Sequence, residues 1–221
     1  MLKAFTTSDE LFDVLSALMN ISSLTNFRLV GGTALSLLLG HRKSEDIDLF
    51  THQPYGSINF KKIETEIREN FSYVRNSDEG LGLQPIENNF GLHLYIGHNT
   101  DSAVKTDILN WNDDFLYPEN EIDGIRMATF EEIALMKLDT VSRGGRKKDF
   151  WDLSEILEHT SLTSLLKLYE EKYPYYEVEL VKQGMTNFDK ADNMPDPVCL
   201  RGKIWELIKV EMMEAANSLK N

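Results

Sequence analysis

A glycine pair between an apolar strand and an apolar helix constrains the fold of this chain more than any other feature. Residues 27–30 read as a short strand, residues 31–33 (Gly-Gly-Thr) follow it, and residues 34–39 form an apolar, helix-like run. A second apolar strand, residues 46–50 (Asp-Ile-Asp-Leu-Phe), comes shortly afterwards. A strand, a tight turn, a helix and another strand in close succession predict a front portion that mixes strands and helices.

The remaining patterns divide the chain into a mixed part and a helical part. We predict a helix over residues 57–71, turns or a hairpin over residues 76–89, and strands over 92–96 and 104–111. From Thr129 onward a capping box and helical spacing dominate. A loop over 187–197 and a last helix from about residue 200 to 219 complete the helical part. The expected fold class is α+β, with an α/β domain over residues 1–128 and a helical domain over 129–221.

Composition places the chain among globular cytoplasmic proteins. Its 221 residues, 42% hydrophobic and 27% charged, suit one compact domain or a domain with a helical appendage. No apolar run of about twenty residues is present, so we expect no membrane span. The N-terminus has no long hydrophobic signal core. Cys199, the only cysteine, excludes an intramolecular disulfide and suits a reducing compartment.

The net charge of −13 disfavours a broad nucleic-acid-binding surface, because phosphate backbones attract clustered lysines and arginines. One local basic cluster runs against this trend, at Arg143, Arg146, Lys147 and Lys148. It fits a patch for a nucleic-acid substrate as well as it fits a solvated loop between two helices.

Asp46 and Asp48 are candidate metal ligands. Residues two apart in a strand share a face and have Cα atoms about 6.6 Å apart. Two carboxylates aimed at one place repel each other unless a cation or a proton joins them. Hard oxygen ligands suit Mg²⁺, which takes phosphate oxygens to complete its shell. The alternative is a pair of solvent-facing acids on an edge strand.

The glycine pair strengthens the metal interpretation. Glycines between a strand and a helix let the backbone approach a ligand closely, and the first amides of the helix point at an anion. Thr33 adds a hydroxyl donor or caps the helix. A Gly-Gly turn alone is weak evidence, but a phosphate cradle next to a carboxylate pair is the combination that nucleotide chemistry needs.

Asp107 is the predicted third acid. It alternates onto the face opposite Val104, Thr106 and Ile108, so a strand beside the Asp46 strand brings it to the same cluster. Three acids allow two ions about 3.5–4 Å apart to grip the attacking hydroxyl and the phosphate. Asp107 is also a candidate base for that hydroxyl. The alternative is an acid on the wet face of a strand.

These motifs resemble those of the AbiEii/AbiGii-type nucleotidyltransferase toxins, a family of the polymerase-β-like nucleotidyltransferase superfamily. The resemblance covers residues 27–157, and its most specific part is the first motif, at residues 31–35, 40–42, 44 and 46–50. The later motifs are matched less specifically, at Asp107, Lys137, Arg143 and residues 148–153.

The resemblance implies a polymerase-β-like domain followed by a helical portion, a nucleoside triphosphate as donor, and Mg²⁺ as cofactor. A nucleoside monophosphate is transferred and pyrophosphate is released. The carried-over metal ligands are Asp46, Asp48 and Asp107, and the carried-over nucleotide contacts are Gly31, Gly32, Thr33 and Arg143.

Two further roles come from the same resemblance. Lys137 neutralises charge that develops on the transferring phosphate. Asp149 orients Lys137 or an arginine, or acts on the acceptor; its alternative is an acid favoured at a helix N-terminus by the helix dipole. Apart from the resemblance, His41, Arg42 and Lys43 lie close to the glycine turn in sequence, where they either contact nucleotide or coat a loop.

The implied activity is that of the toxin of a bacterial toxin–antitoxin pair, with RNA such as a tRNA end as acceptor and an antitoxin protein as partner. Two alternatives stay open. One is the same chemistry on a small molecule such as an antibiotic, which fits the acidic composition better. The other is a nucleotide-binding or antitoxin-binding module without turnover, against which the four charged residues Asp46, Asp48, Asp107 and Lys137 argue.

Overall fold

The N-terminal part of the chain forms a mixed sheet flanked by helices. The structure is a computed structural model that describes residues 1–77, 90–111, 113–175 and 177–219. The described strands form one seven-stranded sheet in the order β3-β4-β5-β2-β1-β7-β6. The strands are β1 (Arg28–Leu29), β2 (Asp46–Thr51), β3 (Tyr73–Asn76), β4 (Gly91–Gly97), β5 (Val104–Asn110), β6 (Asn120–Ile122) and β7 (Ile125–Met127).

The helices divide at Thr129 into those that accompany the sheet and those that follow it. The first group contains α1 (Asp9–Met19), α2 (Gly31–Leu39) and α3 (Phe60–Asn70), with short 3₁₀ turns at Ala4–Thr6 and Ser22–Leu24. The second group contains α4 (Phe130–Ser142), α5 (Lys147–Leu157), α6 (Leu162–Lys172), α7 (Val178–Met185), α8 (Asp189–Asp192) and α9 (Trp205–Ser218).

The centre of the sheet has one buried face and one accessible face. β2 pairs in parallel with β5 and antiparallel with β1, and β4 pairs antiparallel with β5. The buried face carries side chains that are fully excluded from solvent, namely Ile47, Leu49, Leu94, Ile96, Thr106 and Ile108. Because side chains alternate along a strand, the residues between these face the other way. The acidic residues of β2 and β5, with Lys105 and His93, therefore share the accessible face.

The chain forms two compact units. The first contains Met1–Leu38 and Ser44–Thr129, and the second contains Leu39–Lys43 and Phe130–Asn221. The second unit is helical, and its core includes the buried rings of Phe150, Trp151 and Tyr169. Five residues from the front of the sequence thus belong to the helical unit.

The expected α+β class is confirmed, and several elements lie close to where the sequence predicts them. Ser8 caps α1 by accepting the Leu11 N–H at 3.1 Å. The last helix is shorter than predicted, since it begins at Trp205, and the loop predicted over 187–197 contains α8. The turns or hairpin predicted over 76–89 lie almost wholly outside the described residues.

The sequence patterns did not predict the helices α7 and α8, the edge strand β3 or the β6–β7 hairpin. Among the helices that the structure describes, none is both long and apolar enough to cross a membrane.

Candidate active site

The three predicted acids lie on the accessible face of adjacent strands. Asp48 on β2 is directly opposite Asp107 on β5. Asp46 lies two residues before Asp48, on the same face of β2. All three side chains are partly exposed, whereas the intervening Ile47 and Leu49 are buried. The predictions that Asp46 and Asp48 share a face and that the strand of Asp107 lies beside theirs are confirmed.

The glycine turn adjoins this row of acids. Gly31 has a φ of +70°, a conformation that residues with a Cβ rarely adopt. A Cβ at Gly31 would lie only 2.6 Å from Oδ2 of Asp48. The Val30 N–H also donates to the Asp48 carbonyl at 2.9 Å, which fixes the turn against β2. The amides at the start of α2 and the Asp48 carboxylate are therefore neighbours, with space between them that only a glycine leaves open.

Gly32 and Thr33 follow in the first turn of α2, where backbone amides have no partner within the helix. The Thr33 side chain is buried, and its hydroxyl donates to the Asp46 carbonyl. The Ser44 hydroxyl lies 2.8 Å from the same Thr33 oxygen. The side chain of Thr33 therefore links α2 to the start of β2. The backbone amide of Thr33 is then the group of this residue that remains to bind an anion.

Two side chains contact Asp107. His93, its direct neighbour on β4, places Nδ1 2.8 Å from Oδ1, and Lys105 donates from Nζ to Oδ2 at 2.7 Å. Burial alone would lower the pKa of Lys105, but the hydrogen bond and charge of Asp107, with the charges of Asp46 and Asp48, raise it above its usual value. Lys105 is therefore a fully charged ammonium that faces all three acids.

The donor set fits Mg²⁺ by its chemistry, since three carboxylates supply the hard oxygens that this ion prefers. Among the described residues, no three acidic, histidine or cysteine side chains are gathered closely enough to form a ready metal site. The reason in this row is that Asp107 is directed to His93 and Lys105. A metal ion bound by all three acids would have to displace the Lys105 ammonium from Asp107.

The helical unit contains a second charged group, centred on Lys137. The side chain of Lys137 is 7% exposed, and its ammonium lies 2.7 Å from Asp149 Oδ1 and 2.8 Å from Asp152 Oδ2. Asp149 also accepts the Arg146 N–H at 3.0 Å with its other oxygen. Asp149 therefore caps the start of α5 and contacts Lys137 at the same time, and its role in a reaction stays a prediction.

Asp152 is the centre of this group. Its side chain is fully buried and accepts hydrogen bonds from Arg42 Nε at 2.6 Å, Arg42 Nη2 at 2.8 Å and His41 Nε2 at 2.7 Å. His41 and Arg42 are 0% and 2% exposed. The alternative that His41 and Arg42 coat a loop is wrong, because both side chains are buried and contact the carboxylate of Asp152.

The charges in this group stabilise one another. Burial would lower the pKa of Lys137, but Asp152 and Asp149 outweigh it and raise that pKa. Burial would raise the pKa of Asp152, but Arg42 and Lys137 hold it well below its usual value. The pKa of Asp149 is likewise lowered, because Lys137 outweighs burial. Lys137 is thus a fixed positive charge at neutral pH.

The predicted basic cluster is largely paired with acids. Arg143, 57% exposed, donates to the Asp139 carboxylate. Arg146, 53% exposed, lies 3.3 Å from Asp149, and the buried Lys147 lies 3.0 Å from Asp196. Partial neutralisation weakens the case for a nucleic-acid patch at this place.

Sequence reasoning missed Lys105, His93 and Asp152 as parts of these groups. Two of them carried a signal: Lys105 is two residues before Asp107 on one strand, and Asp152 is three residues after Asp149 on one helix. His93 had none, because only the pairing of β4 with β5 brings it to Asp107.

Comparison with known proteins identifies the family of the chain. The family model for the nucleotidyl transferase AbiEii toxin of type IV toxin–antitoxin systems matches residues 13–218. An uncharacterized protein of Aquifex aeolicus (strain VF5) is 27% identical over 185 residues, which cover 81% of this chain and 82% of that protein.

Two solved structures share the fold. JHP933 from Helicobacter pylori has a TM-score of 0.54 at 16% identity, covering 95% of this chain and 88% of its own. MenT4, a nucleotidyltransferase toxin of Mycobacterium tuberculosis H37Rv, has a TM-score of 0.55 at 15% identity, covering 96% and 87%. The α+β architecture is that of the polymerase-β-like nucleotidyltransferases.

Proposed function

The chain belongs to the AbiEii family of nucleotidyltransferase toxins, and we propose that it transfers a nucleoside monophosphate from a nucleoside triphosphate to a hydroxyl of RNA, such as a tRNA end. The proposed setting is the bacterial cytoplasm, as the toxin of a toxin–antitoxin pair with an antitoxin protein as partner. The observation that carries the proposal is the contact of the Gly31 turn with Asp48 and, through the sheet register, the adjacency of Asp48 and Asp107.

In the proposed reaction the acceptor hydroxyl oxygen attacks the α-phosphorus of the triphosphate. The bond from that phosphorus to the bridging oxygen of the β-phosphate breaks, pyrophosphate leaves, and the hydroxyl proton passes to a base, for which Asp107 is the candidate. The amides of Gly31, Gly32 and Thr33 would bind triphosphate oxygens at the start of α2.

Asp46, Asp48 and Asp107 would hold Mg²⁺, which supplies Lewis-acid stabilisation of the phosphate charge when bound. Lys137 and Arg143 are the proposed cationic contacts of the triphosphate. The contacts of Lys137 with Asp149 and Asp152 support the role of Lys137, since a preorganised charge needs no reorganisation during the reaction.

The test is a labelling experiment with each α-³²P-labelled triphosphate, Mg²⁺ and total RNA. We expect labelled RNA from the natural protein and none from Asp46→Asn or Asp48→Asn. Asp13→Asn, which changes an exposed acid on α1, is the matched control and should retain full activity.

Three other outcomes would contradict the proposal. Labelling only when small hydroxyl compounds are added would favour an enzyme that modifies small molecules. Triphosphate binding without transfer to any acceptor would favour a binding module. Retention of transfer by Asp48→Asn would remove the acids from the mechanism.

A further inference from the structure

The accessible face of the sheet continues from the acids to the edge strand β3. Asp46 on β2 is opposite Lys105 on β5, Lys105 is opposite Tyr95 on β4, and Tyr95 is opposite Arg75 on β3. Directly paired residues project from the same side of a sheet. With strands about 4.8 Å apart, the Cα atom of Arg75 lies roughly 14 Å from that of Asp46.

The character of this row changes along its length. It carries Asp46 and Asp48 at β2 and the Lys105–Asp107 pair at β5, and it ends in His93 and Tyr95 on β4 and Arg75 on β3. The side chains of Lys105 and His93 are 41% and 43% exposed, and Arg75 is exposed. In a chain with a net charge of −13, a face with this composition stands out.

Arg75 and Tyr95 form a cation–π pair. The guanidinium carbon of Arg75 lies 5.1 Å from the centroid of the Tyr95 ring, a cation–π geometry. Aromatic rings and guanidinium planes are the surfaces on which unpaired bases stack, and nearby cations neutralise the backbone. Bases inside a duplex cannot reach such a pair, since they are already stacked on each other.

We propose that this face, here called the acceptor face and formed by Lys105, His93, Tyr95 and Arg75, binds the single-stranded end of the acceptor RNA. The terminal hydroxyl lies at the acids, the following phosphates lie near Lys105 and Arg75, and one base stacks on the Arg75–Tyr95 pair. The inference rests on the proposed function for the identity of the reaction. It adds where the substrate lies and requires that its end be unpaired.

Charge and length both favour RNA over a small acceptor. The phosphates of a strand complement the cations that lead away from the acids. A small hydroxyl compound held at the acids would not extend roughly 14 Å to Arg75, across three strand spacings of about 4.8 Å. A partner protein with an acidic segment is the other class of ligand, and the experiment below separates it.

The test measures binding of a 5′-fluorescein-labelled single-stranded RNA 12-mer to the full chain by fluorescence anisotropy, without triphosphate and with EDTA. We expect Tyr95→Leu to weaken binding about tenfold. Arg75→Gln should make the slope of log K against log salt shallower by about 0.7, the value for one phosphate contact on a single strand. A blunt duplex of the same sequence should compete poorly.

Two variants serve as matched controls. Tyr175→Leu removes a ring that is 97% exposed in the helical unit, and Lys62→Gln removes a cation whose side chain is 61% exposed on α3. Both should bind the 12-mer within twofold of the natural protein. Circular dichroism of all four variants should show unchanged folding, because each change is at an accessible position.

Binding of the 12-mer that Tyr95→Leu and Arg75→Gln leave unchanged would overturn the inference. Equal competition by the duplex, or by an acidic peptide of equal charge, would also overturn it. Asp48→Asn should retain RNA binding while losing transfer, which separates the two proposals. If RNA is labelled but substitutions in the acceptor face do not change binding of the 12-mer, the proposed function stands and this inference fails. If the face binds RNA in the expected way but no triphosphate supports transfer, the proposed function fails instead.

Discussion

Replacing Gly31 with alanine should disable the site while leaving the fold intact. The added Cβ would lie 2.6 Å from Asp48 Oδ2, whereas ordinary contacts begin at 3.4 Å, so the carboxylate must move by the difference, about 0.8 Å. A misplacement near 1 Å costs about 100-fold in rate for a positioned catalytic group. The positive φ of +70° adds a stability cost of about 1–2 kcal/mol for any residue with a Cβ.

Gly124→Ala separates these two effects. Gly124 has a φ of +79° in the same unit, and a Cβ there would meet nothing within 4 Å. Both variants should therefore lose a similar amount of stability, about 2–8 °C in Tm for a chain of this size. Only Gly31→Ala should lose nucleotidyl transfer and weaken the binding of Mn²⁺, used as a probe for Mg²⁺.

Transfer by labelled triphosphate and Mn²⁺ titration by calorimetry measure the two functional quantities. Equal activity of the two alanine variants would refute the reasoning, because it would show that the position of the Asp48 carboxylate is immaterial. A much larger loss of stability in Gly31→Ala than in Gly124→Ala would also refute it, since the carboxylate would then be unable to move aside.

Three further predictions concern the two charged groups. Lys105→Gln should tighten Mn²⁺ binding about five- to tenfold in calorimetry, because an ammonium beside the three acids opposes a metal ion by about 1 kcal/mol or more; unchanged affinity would contradict this. Asp152→Asn should lower the free energy of unfolding in urea by about 3–5 kcal/mol, the usual cost of removing one partner from a buried ion pair, and a loss below 1 kcal/mol would show that the group is not stabilising. The pKa of Asp152 is lower in the folded chain than in the unfolded chain, so its stabilisation is complete above the unfolded value of about 3.9 and is lost as the pH falls through the folded value. The difference in stability between the natural protein and Asp152→Asn should accordingly be constant from pH 8 to 5 and shrink below pH 4; a difference that shrinks near neutral pH would contradict the assignment.

The row of acids was predictable because it depends on local rules. Side chains two apart in a strand share a face whatever the rest of the chain does, which fixed the relation of Asp46 to Asp48. The same rule applied to β5 would have identified Lys105 as a neighbour of Asp107. The position of His93 depends on the register between β4 and β5, which no local pattern reveals.

The turn of the β6–β7 hairpin could have been predicted from the Asp-Gly pair in the sequence. Its strands have three residues each, too few for an alternation pattern, but Asp123 and Gly124 between them both have positive φ values. An Asp-Gly pair is a preferred sequence for such a turn.

The Lys137 group could not be predicted in this way, because Arg42 and Asp152 are 110 positions apart and only tertiary structure pairs them. The resemblance to the family included Arg42 and Asp152 in two separate motifs but did not indicate that they pair.

The membership of Leu39–Lys43 in the helical unit determines how this protein can be dissected or recombined. A fragment starting at Phe130 would lack His41 and Arg42. The buried carboxylate of Asp152 would then keep its ion pair with Lys137 but lose its contacts with these two residues. Conversely, a fragment ending at Thr129 would carry an arginine whose carboxylate partner has been deleted. The two halves of the chain are therefore not interchangeable modules. A chimera with another family member would have to exchange the segment Leu39–Lys43 together with the C-terminal helices.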